Sequence, residues 1–236
     1  MDFCVPVPAS AEGQASDSGA VAEAELEIKK SRFLAFIGRT DTEEAAREFI
    51  HRVRAAYPDA RHHCSAYIVH VDAAQPILRS SDDGEPSGTA GKPMLDVLVG
   101  SGVENITAVV VRYFGGIKLG TGGLVRAYSD ATTAALTTVR TATRSLLALY
   151  TLEADHTIAG RLEADLRAAD YQITDTAYGA AVTYTVAVDP AAADRFAGWV
   201  AAHTAGALTP ARAGTAWVER AIIENHDDAE IPDQSH

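Results

Sequence analysis

A nearly continuous apolar run, ITAVVVRY at residues 106–113, leads directly into a glycine-rich stretch and then into a helical pattern. Its β-branched content is typical of a strand that is buried on both faces. The glycine-rich stretch, RYFGGIKLGTGGLVRAY from Arg112 to Tyr128, contains five glycines and three cations, and its apolar spacing becomes helical from Gly122. This succession of buried strand, sharp connection and helix predicts a fold of the α+β class.

The composition of the glycine-rich stretch is typical of a loop that binds an anion. Glycine permits positive φ angles and the close approach of a ligand, and the N–H groups that open a helix favour negative charge. The stretch matches neither the Walker pattern nor GxGxxG with a suitably placed acid, so a tight strand-to-helix turn remains the alternative interpretation. The candidate residues for binding an anion or a nucleic acid are Arg112, Tyr113, Gly115, Gly116, Lys118, Gly120, Gly122, Gly123 and Arg126.

A second polar loop, RSSDDGEPSGTAGKP at residues 79–93, also concentrates glycine, hydroxyl groups and charges. Its candidates for binding a phosphate or a ribose are Ser87, Gly88, Thr89 and Lys92. Its acids, which could ligate Mg²⁺ or supply a base, are Asp82, Asp83 and Glu85. A turn in which one aspartate caps backbone N–H groups is favoured over a metal site. We treat the two loops as one candidate surface.

The run HHC at residues 62–64 contains residue types that serve as nucleophiles and zinc ligands. Neighbouring side chains on a strand point to opposite faces, so His63 and Cys64 cannot share a site, although His62 and Cys64 could. A lone buried cysteine usually packs as a small hydrophobe. We therefore predict neither a catalytic residue nor a metal site here.

Composition favours a protein of two domains in a reducing compartment. The 236 residues are 47% hydrophobic and 22% charged, which fits a globular protein of one large or two small domains. The sequence has no apolar run of about 18 residues and no signal-peptide pattern, so a cytoplasmic location is expected. Two cysteines, Cys4 and Cys64, are too few for a disulfide framework.

The formal net charge of −12 conceals a segregation of charge along the chain. Residues 29–145 carry 15 basic and 12 acidic side chains, whereas acids outnumber bases in residues 1–28, 146–220 and 221–236. Binding to phosphates needs clustered lysine and arginine. The segment that holds both loops is therefore the part of the chain where an anionic partner is expected.

The order of predicted elements divides the chain into four parts. Residues 1–22, rich in small and polar residues, are expected to be a disordered lead, and residues 221–236 a solvated acidic tail. Residues 23–140 are predicted to form the first domain. Residues 146–220 are predicted to follow the order strand, helix, strand, strand, helix, strand, which is the ferredoxin-like pattern.

Helical spacing after residue 41 predicts an amphipathic helix that ends before Pro58. Asp41 and Glu44 form a capping-box pattern, in which Asp41 would be the N-cap residue.

Four stretches resemble the YigZ/IMPACT family. They are KKSRFLA at residues 29–35, ARHHCSAY at 60–67, SDDGEPSGTAGKPML at 81–95 and RYFGGIKLGTGGLVRAYSDA at 112–131. The resemblance covers about residues 24–140. The second half is similar to the ferredoxin-like C-terminal domain that bacterial members carry.

The resemblance implies a two-layer α/β fold for the first domain, of the type found in a ribosomal protein and in elongation factor G, with a left-handed βαβ crossover. It implies translational control through ribosomes and protein partners for eukaryotic members, and nucleic-acid binding or a translation-linked role for bacterial ones. It brings no established catalytic residues. Sugar and mevalonate-type kinases share the fold, so the fold alone assigns no function.

The main hypothesis is a cytoplasmic, non-enzymatic protein without a cofactor, whose first domain binds RNA, the ribosome or a translation factor through the two loops. The alternative is a Mg²⁺-dependent enzyme or sensor of a phosphorylated ligand, with Asp82, Asp83 and Glu85 holding the ion. A third hypothesis is a protein-binding module that uses the exposed sheet of the second domain. The sequence does not predict the oligomeric state.

Overall fold

The computed structural model describes residues 2–7 and 22–221. They form two compact units, the first mainly residues 3–143 and the second mainly residues 144–219. Each unit combines a β-sheet with helices, so the predicted α+β class is confirmed. No helix in the described ranges is long and apolar enough to cross a membrane. Most of the expected disordered lead and nearly all of the expected acidic tail lie outside these ranges.

Apart from β1, the first unit carries its elements in the order expected from hydrophobic periodicity. The strands are β1 (Phe3–Val7), β2 (Ala22–Ile28), β3 (Ser31–Arg39), β4 (His62–Val69), β5 (Ile77–Ser81) and β6 (Ile106–Tyr113). The helices are α1 (Glu43–Ala56), α2 (Gly91–Ser101) and α3 (Thr121–Leu136). The apolar run at residues 106–113 therefore forms a strand with the predicted bounds.

The sheet of the first unit has the strand order β2–β3–β6–β4–β5, and all four pairs of neighbours are antiparallel. The register places Arg112 of β6 opposite Phe33 of β3 and His62 of β4. The start of β3, the start of β4 and the end of β6 consequently lie at one end of the sheet. The glycine-rich stretch begins at this end.

Helices cover both faces of this sheet because β6 is apolar on both faces. Ala108 and Val110 belong to the core that includes residues of α2 and α3. Val109 and Val111 pack instead in a cluster with Phe49 of α1. Burying each valine side chain contributes about 1.5–3 kcal/mol. The unit therefore has three layers, and the two-layer arrangement that the resemblance implied is wrong in this respect.

Helix α1 begins one residue later than the capping-box pattern predicts. Thr42 is the N-cap residue, and its hydroxyl oxygen accepts a hydrogen bond from the N–H of Ala45 at 3.1 Å. The prediction that Asp41 caps the helix is wrong. Asp41 accepts a hydrogen bond from the side-chain amide of Asn105 at 2.8 Å instead, which ties the start of α1 to the turn before β6.

The first residues of the chain contain a short strand that the expectation of a disordered lead missed. Val5 of β1 is fully buried, and Cys4 forms a parallel bridge with Val103. The N–H of Glu104 donates to the carbonyl oxygen of Cys4 at 2.8 Å. The apolar FCVPV sequence supplies enough buried surface to hold this strand against the first unit.

The second unit has the predicted order strand, helix, strand, strand, helix, strand. These elements are β7 (Arg140–Ala154), α4 (His156–Ala168), β8 (Gln172–Tyr178), β9 (Val182–Val188), α5 (Ala193–His203) and β10 (Ala211–Ala221). In its sheet β7 pairs with β9 and β10, and β9 pairs with β8. Leu162 and Leu166 of α4 and Phe196 and Val200 of α5 share one core with the sheet residue Tyr184.

Candidate nucleic-acid interface

The acidic loop and the glycine-rich stretch line one cleft at the end of the sheet where β6 stops. We call it the first cleft, and its volume is about 350 Å³. Its lining residues are Arg61, His62, Glu85, Pro86, Arg112, Phe114, Lys118, Leu119, Gly120, Thr121 and Leu124. The structure thus brings together parts of the two loops that the sequence grouped as one surface.

Arg112 forms a buried ion pair in the first cleft. Its Nη1 donates to Oε1 of Glu85 at 2.6 Å, and the hydroxyl group of Tyr128 donates to the same oxygen at 2.8 Å. The side chains of Arg112 and Glu85 are only 7% and 4% exposed. Arg112, a predicted candidate for anion binding, is thus already paired with a carboxylate of the protein, and an anion would have to compete with Glu85 for its charge.

Further contacts hold the guanidinium group of Arg112 in place. Its Nη2 lies 3.5 Å from the hydroxyl oxygen of Ser31, and its Cζ lies 5.5 Å and 5.7 Å from the ring centroids of Phe33 and Phe114. The Nε of Arg112 is buried and has no hydrogen-bond partner in the described part of the chain. Buried N–H groups are rarely left unsatisfied.

The glycines at the start of the stretch shape the connection between β6 and α3. A Cβ atom on Gly115 would lie 1.9 Å from the carbonyl oxygen of Lys30, in the hairpin turn between β2 and β3. The N–H of Gly115 donates to the hydroxyl oxygen of Ser31 at 3.2 Å. Gly116 and Gly120 have φ angles of 87° and 74°, in the region that favours glycine. These three glycines are thus required by the local backbone.

Helix α3 begins beside the first cleft with its backbone exposed. Its N-cap residue, Gly120, has no side chain to accept a hydrogen bond, and Thr121 and Gly122 are exposed. A Cβ atom on Gly122 would meet no atom within 4 Å. The first N–H groups of a helix lack intrahelical acceptors and carry partial positive charge. This end of α3 is accordingly open to an anion.

Asp82 of the acidic loop is held by backbone donors at the start of α2. Its Oδ1 accepts hydrogen bonds from the N–H groups of Ala90 and Gly91 at 3.0 Å and 2.8 Å, and its Oδ2 from Gly88 at 2.8 Å. Burial disfavours the charged carboxylate, but the three N–H donors together outweigh burial and lower the pKa of Asp82. Asp82 thus caps backbone N–H groups, but these lie six to nine residues along the chain, farther than in the local turn that the sequence favoured over a metal site.

Asp83 is also bound by protein groups. Its Oδ1 accepts from Nη2 of Arg54 at 2.7 Å, and its Oδ2 accepts from the N–H of His63 at 2.7 Å. Together with the ion pair of Glu85, all three acids of the loop are engaged, so a Mg²⁺ ion would have to displace these donors. Within residues 2–7 and 22–221, no group of three or more His, Cys, Asp or Glu side chains could hold a metal ion.

The run at residues 62–64 packs against the acidic loop. Nδ1 of His62 lies 2.9 Å from the carbonyl oxygen of Asp83, and the thiol of Cys64 donates to the carbonyl oxygen of Asp82 at 3.0 Å. Burial raises the pKa of the Cys64 thiol to about 12. A thiol in this state supplies almost no thiolate at neutral pH, so Cys64 is poorly suited to act as a nucleophile.

Several predicted residues lie outside the first cleft. Lys92 pairs with Asp96 on α2, and the hydroxyl group of Thr89 donates to a carbonyl oxygen of its own loop. The hydroxyl group of Tyr113 donates to Asp59 at 2.8 Å. Ser87 is exposed and does not line the cleft. The phosphate-or-ribose surface predicted at residues 87–92 is therefore not part of the first cleft.

A second cleft of about 440 Å³ lies along the other side of the first turn of α3. Its lining residues are Ile28, Lys29, Leu119, Gly122, Gly123, Arg126, Ala127 and Asp130. Three of the predicted residues, Gly122, Gly123 and Arg126, thus line this cleft and not the first one.

Two side chains that the sequence reasoning missed contribute to the first cleft. Arg61 is exposed immediately before β4, and Phe114 is 55% exposed immediately after the residues of β6. Phe114 lies inside the glycine-rich stretch, where an aromatic residue in a polar loop is a sequence signal for a binding residue. The position of Arg61 beside the cleft depends on the pairing of β4 with β6. The family-like run ARHHCSAY was the only sequence signal that pointed to this region.

Apart from Arg112, the cations that line the two clefts have no ion-pair partner among the described residues, whereas most other cations of the first unit have one. Pairs elsewhere include Arg32–Glu25, Arg47–Glu43, Arg52–Glu48, Arg54–Asp83 and Lys92–Asp96. Lys29, Lys30, Arg61, Lys118 and Arg126 form no ion pair with any other described residue. Four of these five line a cleft, two in each. Free positive charge is therefore concentrated around the start of α3.

Comparison with known proteins defines the class to which this chain belongs. Residues 29–136 match the Impact N-terminal domain, and residues 152–207 match a domain of unknown function, DUF1949. Extensive similarity to curated family members accompanies these matches. The chain is a member of the IMPACT family, and the resemblance found in its sequence is confirmed.

The individual relatives are similar over most of both units. The IMPACT family member YigZ of Escherichia coli (strain K12) is 47% identical over 182 residues, which are 77% of this chain and 89% of that protein. The family member YvyE of Bacillus subtilis (strain 168) is 37% identical over 204 residues, covering 86% and 92%. A crystal structure of a hypothetical protein aligns with a TM-score of 0.55 at 42% identity, covering 89% of this chain and 96% of that chain.

Proposed function

We propose that the first unit binds single-stranded RNA at the first cleft, as a non-enzymatic, cytoplasmic protein that acts in translation. The observation that carries this proposal is the concentration of unpaired cations around the open start of α3. Translation is the setting that the family resemblance implies. A ribosomal protein or a translation factor is the other partner that the same surface could meet.

The phosphate groups of the RNA would bind to Arg61, Lys118 and the first N–H groups of α3. Arg61 and Lys118 form no ion pair with another described residue, so a phosphate does not have to displace a carboxylate. The N–H groups at the start of α3 add oriented donors and the positive end of the helix dipole. These groups act on any nucleotide sequence, because they recognise the phosphate backbone.

A base would stack on Phe114. Its ring is 55% exposed and lies 5.7 Å from the guanidinium carbon of Arg112, which supports it from one side. Stacking of bases on aromatic side chains contributes about 1–3 kcal/mol per base and tolerates different sequences. Aromatic stacking beside a positively charged groove is the usual mode of binding to single strands, and a duplex would not present its bases in this way.

The chemistry of the site favours binding over catalysis. Asp82, Asp83 and Glu85 are each engaged by protein donors, and burial holds Cys64 as a thiol. Each of these groups would have to leave its partners before it could act as a base, metal ligand or nucleophile. We therefore do not extend the hypothesis of a Mg²⁺-dependent enzyme.

We also propose a specific fold type for each of the two domains. The strand neighbours β10–β7–β9–β8 and the order of elements support a ferredoxin-like domain over residues 146–220. For residues 23–140, the ribosomal-protein type with a left-handed βαβ crossover rests on the family resemblance. Helix α1 would add a layer to that type.

The proposal is tested by reversing the two unpaired cations of the first cleft. The variant Arg61→Glu/Lys118→Glu is titrated against a labelled oligouridylate of about ten nucleotides, a length within the usual site size of single-strand binders. Each phosphate contact to a single strand contributes about 0.7 to the salt slope. Losing two contacts should lower the slope by about 1.4 and the affinity about 25-fold at 0.1 M salt, and repulsion of the phosphates by the two new carboxylates should weaken binding further.

The matched control is Arg47→Glu/Arg52→Glu on α1, which changes the net charge equally on the opposite face of the sheet. This control should change the affinity less than about twofold if binding is local to the cleft. Equal losses in both variants would show that only the overall charge matters. Wild-type protein that is retained on neither the oligonucleotide nor ribosomes at low salt would refute the proposal, and retention on ribosomes alone would favour a protein partner.

A further inference from the structure

The second cleft has the features of another phosphate site. Lys29 and Arg126 line it from different elements, the hairpin turn after β2 and the second turn of α3. Neither forms an ion pair with another described residue. Leu119 lines both clefts, and Gly120 and Thr121 in the first cleft adjoin Gly122 in the second. The two clefts therefore flank the same exposed helix start.

The hairpin turn that carries Lys29 has an unusual backbone. Lys29 and Lys30 have φ angles of 49° and 64°, whereas turns with two positive φ angles normally use Asn, Asp or Gly. Gly115 packs directly against the carbonyl oxygen of Lys30, so the glycine-rich stretch holds this turn in place. Strained backbone persists only where surrounding structure fixes it, and it is common at ligand sites. The fold thus fixes a cation at the rim of the second cleft.

We infer that the second cleft is a further phosphate subsite, and that one RNA strand crosses the first turn of α3 to fill both clefts. This inference rests on the proposed function and extends it. A single nucleotide fills only the first cleft, and a longer strand gains the contacts of Lys29 and Arg126. The protein consequently selects strands by length as well as by charge.

The negative charge of Asp130 should weaken phosphate binding in the second cleft. It lines the same cleft one helical turn after Arg126 and forms no ion pair with another described residue. A phosphate bound between Lys29 and Arg126 would meet this negative charge. Removing the charge of Asp130 should therefore tighten the binding of long strands, which is opposite in sign to the loss expected from the cations.

The test uses the variants Lys29→Asn/Arg126→Gln and Asp130→Asn in the full chain. Asparagine tolerates positive φ, so the first variant keeps the turn while it removes both charges. At 0.1 M salt it should bind the oligouridylate of about ten nucleotides about 25-fold more weakly than wild type, with a salt slope lower by about 1.4. Its affinity for uridine monophosphate should not change. Asp130→Asn should bind the oligonucleotide more tightly than wild type.

Two results would overturn the inference and leave the proposed function standing. One is an unchanged oligonucleotide affinity of Lys29→Asn/Arg126→Gln when Arg61→Glu/Lys118→Glu still loses binding. The other is an equal loss for the mononucleotide and the oligonucleotide, which would place one phosphate against both clefts. Unaltered thermal denaturation shows that each variant is folded. If wild type binds no oligonucleotide at low salt, the proposed function fails first and the inference fails with it.

Discussion

The buried pair of Arg112 and Glu85 permits a test of what the first cleft is built from. In Arg112→Met the aliphatic packing is retained, but the carboxylate of Glu85, which is 4% exposed, keeps only the hydroxyl group of Tyr128 as a donor. Removing one partner of a buried pair costs about 3–5 kcal/mol. We expect a loss of about 4 kcal/mol, which is a large part of the 5–15 kcal/mol that usually stabilises a domain.

Hydrogen exchange read by mass spectrometry measures this loss in each unit separately. A loss of about 4 kcal/mol makes exchange of the protected amides in β6 roughly a thousandfold faster. Amides of β9 serve as an internal control and should exchange at the wild-type rate. In Arg112→Met/Glu85→Gln the buried charge is gone and the side-chain amide oxygen still accepts from Tyr128, so most of the stability should return, to within about 1–1.5 kcal/mol of wild type.

The reasoning would be refuted if Arg112→Met exchanged as slowly as wild type, because Glu85 would then be solvated without its partner. It would also be refuted if the double variant were no more stable than the single one. A stable Arg112→Met protein that loses RNA binding would show that this guanidinium group contacts the ligand directly, as the sequence first suggested.

Two further predictions concern stability. Gly115→Ala places a methyl group 1.9 Å from the carbonyl oxygen of Lys30 and should lower the free energy of unfolding by about 2–3 kcal/mol. In Gly122→Ala the new methyl group meets no atom within 4 Å, so the free energy of unfolding should rise by about 0.5–1 kcal/mol. The thermal denaturation temperatures of the two variants should therefore shift in opposite directions, and equal shifts would contradict the packing argument. The lowered pKa of Asp82 gives stability that is complete at neutral pH, above the unfolded pKa of about 3.9, and is lost as the pH falls through the lower folded pKa. Asp82→Asn should therefore lose less stability than wild type when the pH falls below about 4, and parallel denaturation curves would argue against the role of this carboxylate.

Elements whose identity depends on local periodicity could be predicted from the sequence. The bounds of β6 follow from its unbroken apolar run, and the order of elements in the second unit follows from alternating periods. The layer that α1 adds was not predicted: the apolar run of β6 indicates burial on both faces, but it does not say which element covers each face, and the family resemblance implies only two layers. The N-cap at Thr42 was missed because Asp41 and Thr42 are both good N-cap residues. The choice between them depends on the tertiary position of Asn105, whose side-chain amide donates to Asp41.

The buried position of Arg112 could be predicted in part. Side chains alternate along a strand, so Arg112 lies on the face of β6 that contains Ala108 and Val110, and this face packs against helices. The burial of Arg112 follows from this alternation of side chains. The identity of its partner does not follow from it, because Glu85 reaches the strand from a loop, and the path of this loop depends on the three N–H groups that bind Asp82. Long-range polar pairs of this kind leave no periodic signal in one sequence.

Charge pairing explains why the net charge of a segment predicts the position of a phosphate-binding surface only coarsely. Residues 29–145 have a surplus of three positive charges, but most of their cations are compensated by nearby acids, in three cases by an acid one helical turn away. Such pairs contribute nothing to a phosphate site, because binding would have to break them. What attracts a polyanion is the small remainder of unpaired cations, and the strand order places four of these around one helix start. A protein with a net charge of −12 can therefore present a local phosphate-binding surface, since the Debye length of about 8 Å at physiological salt screens its distant acids.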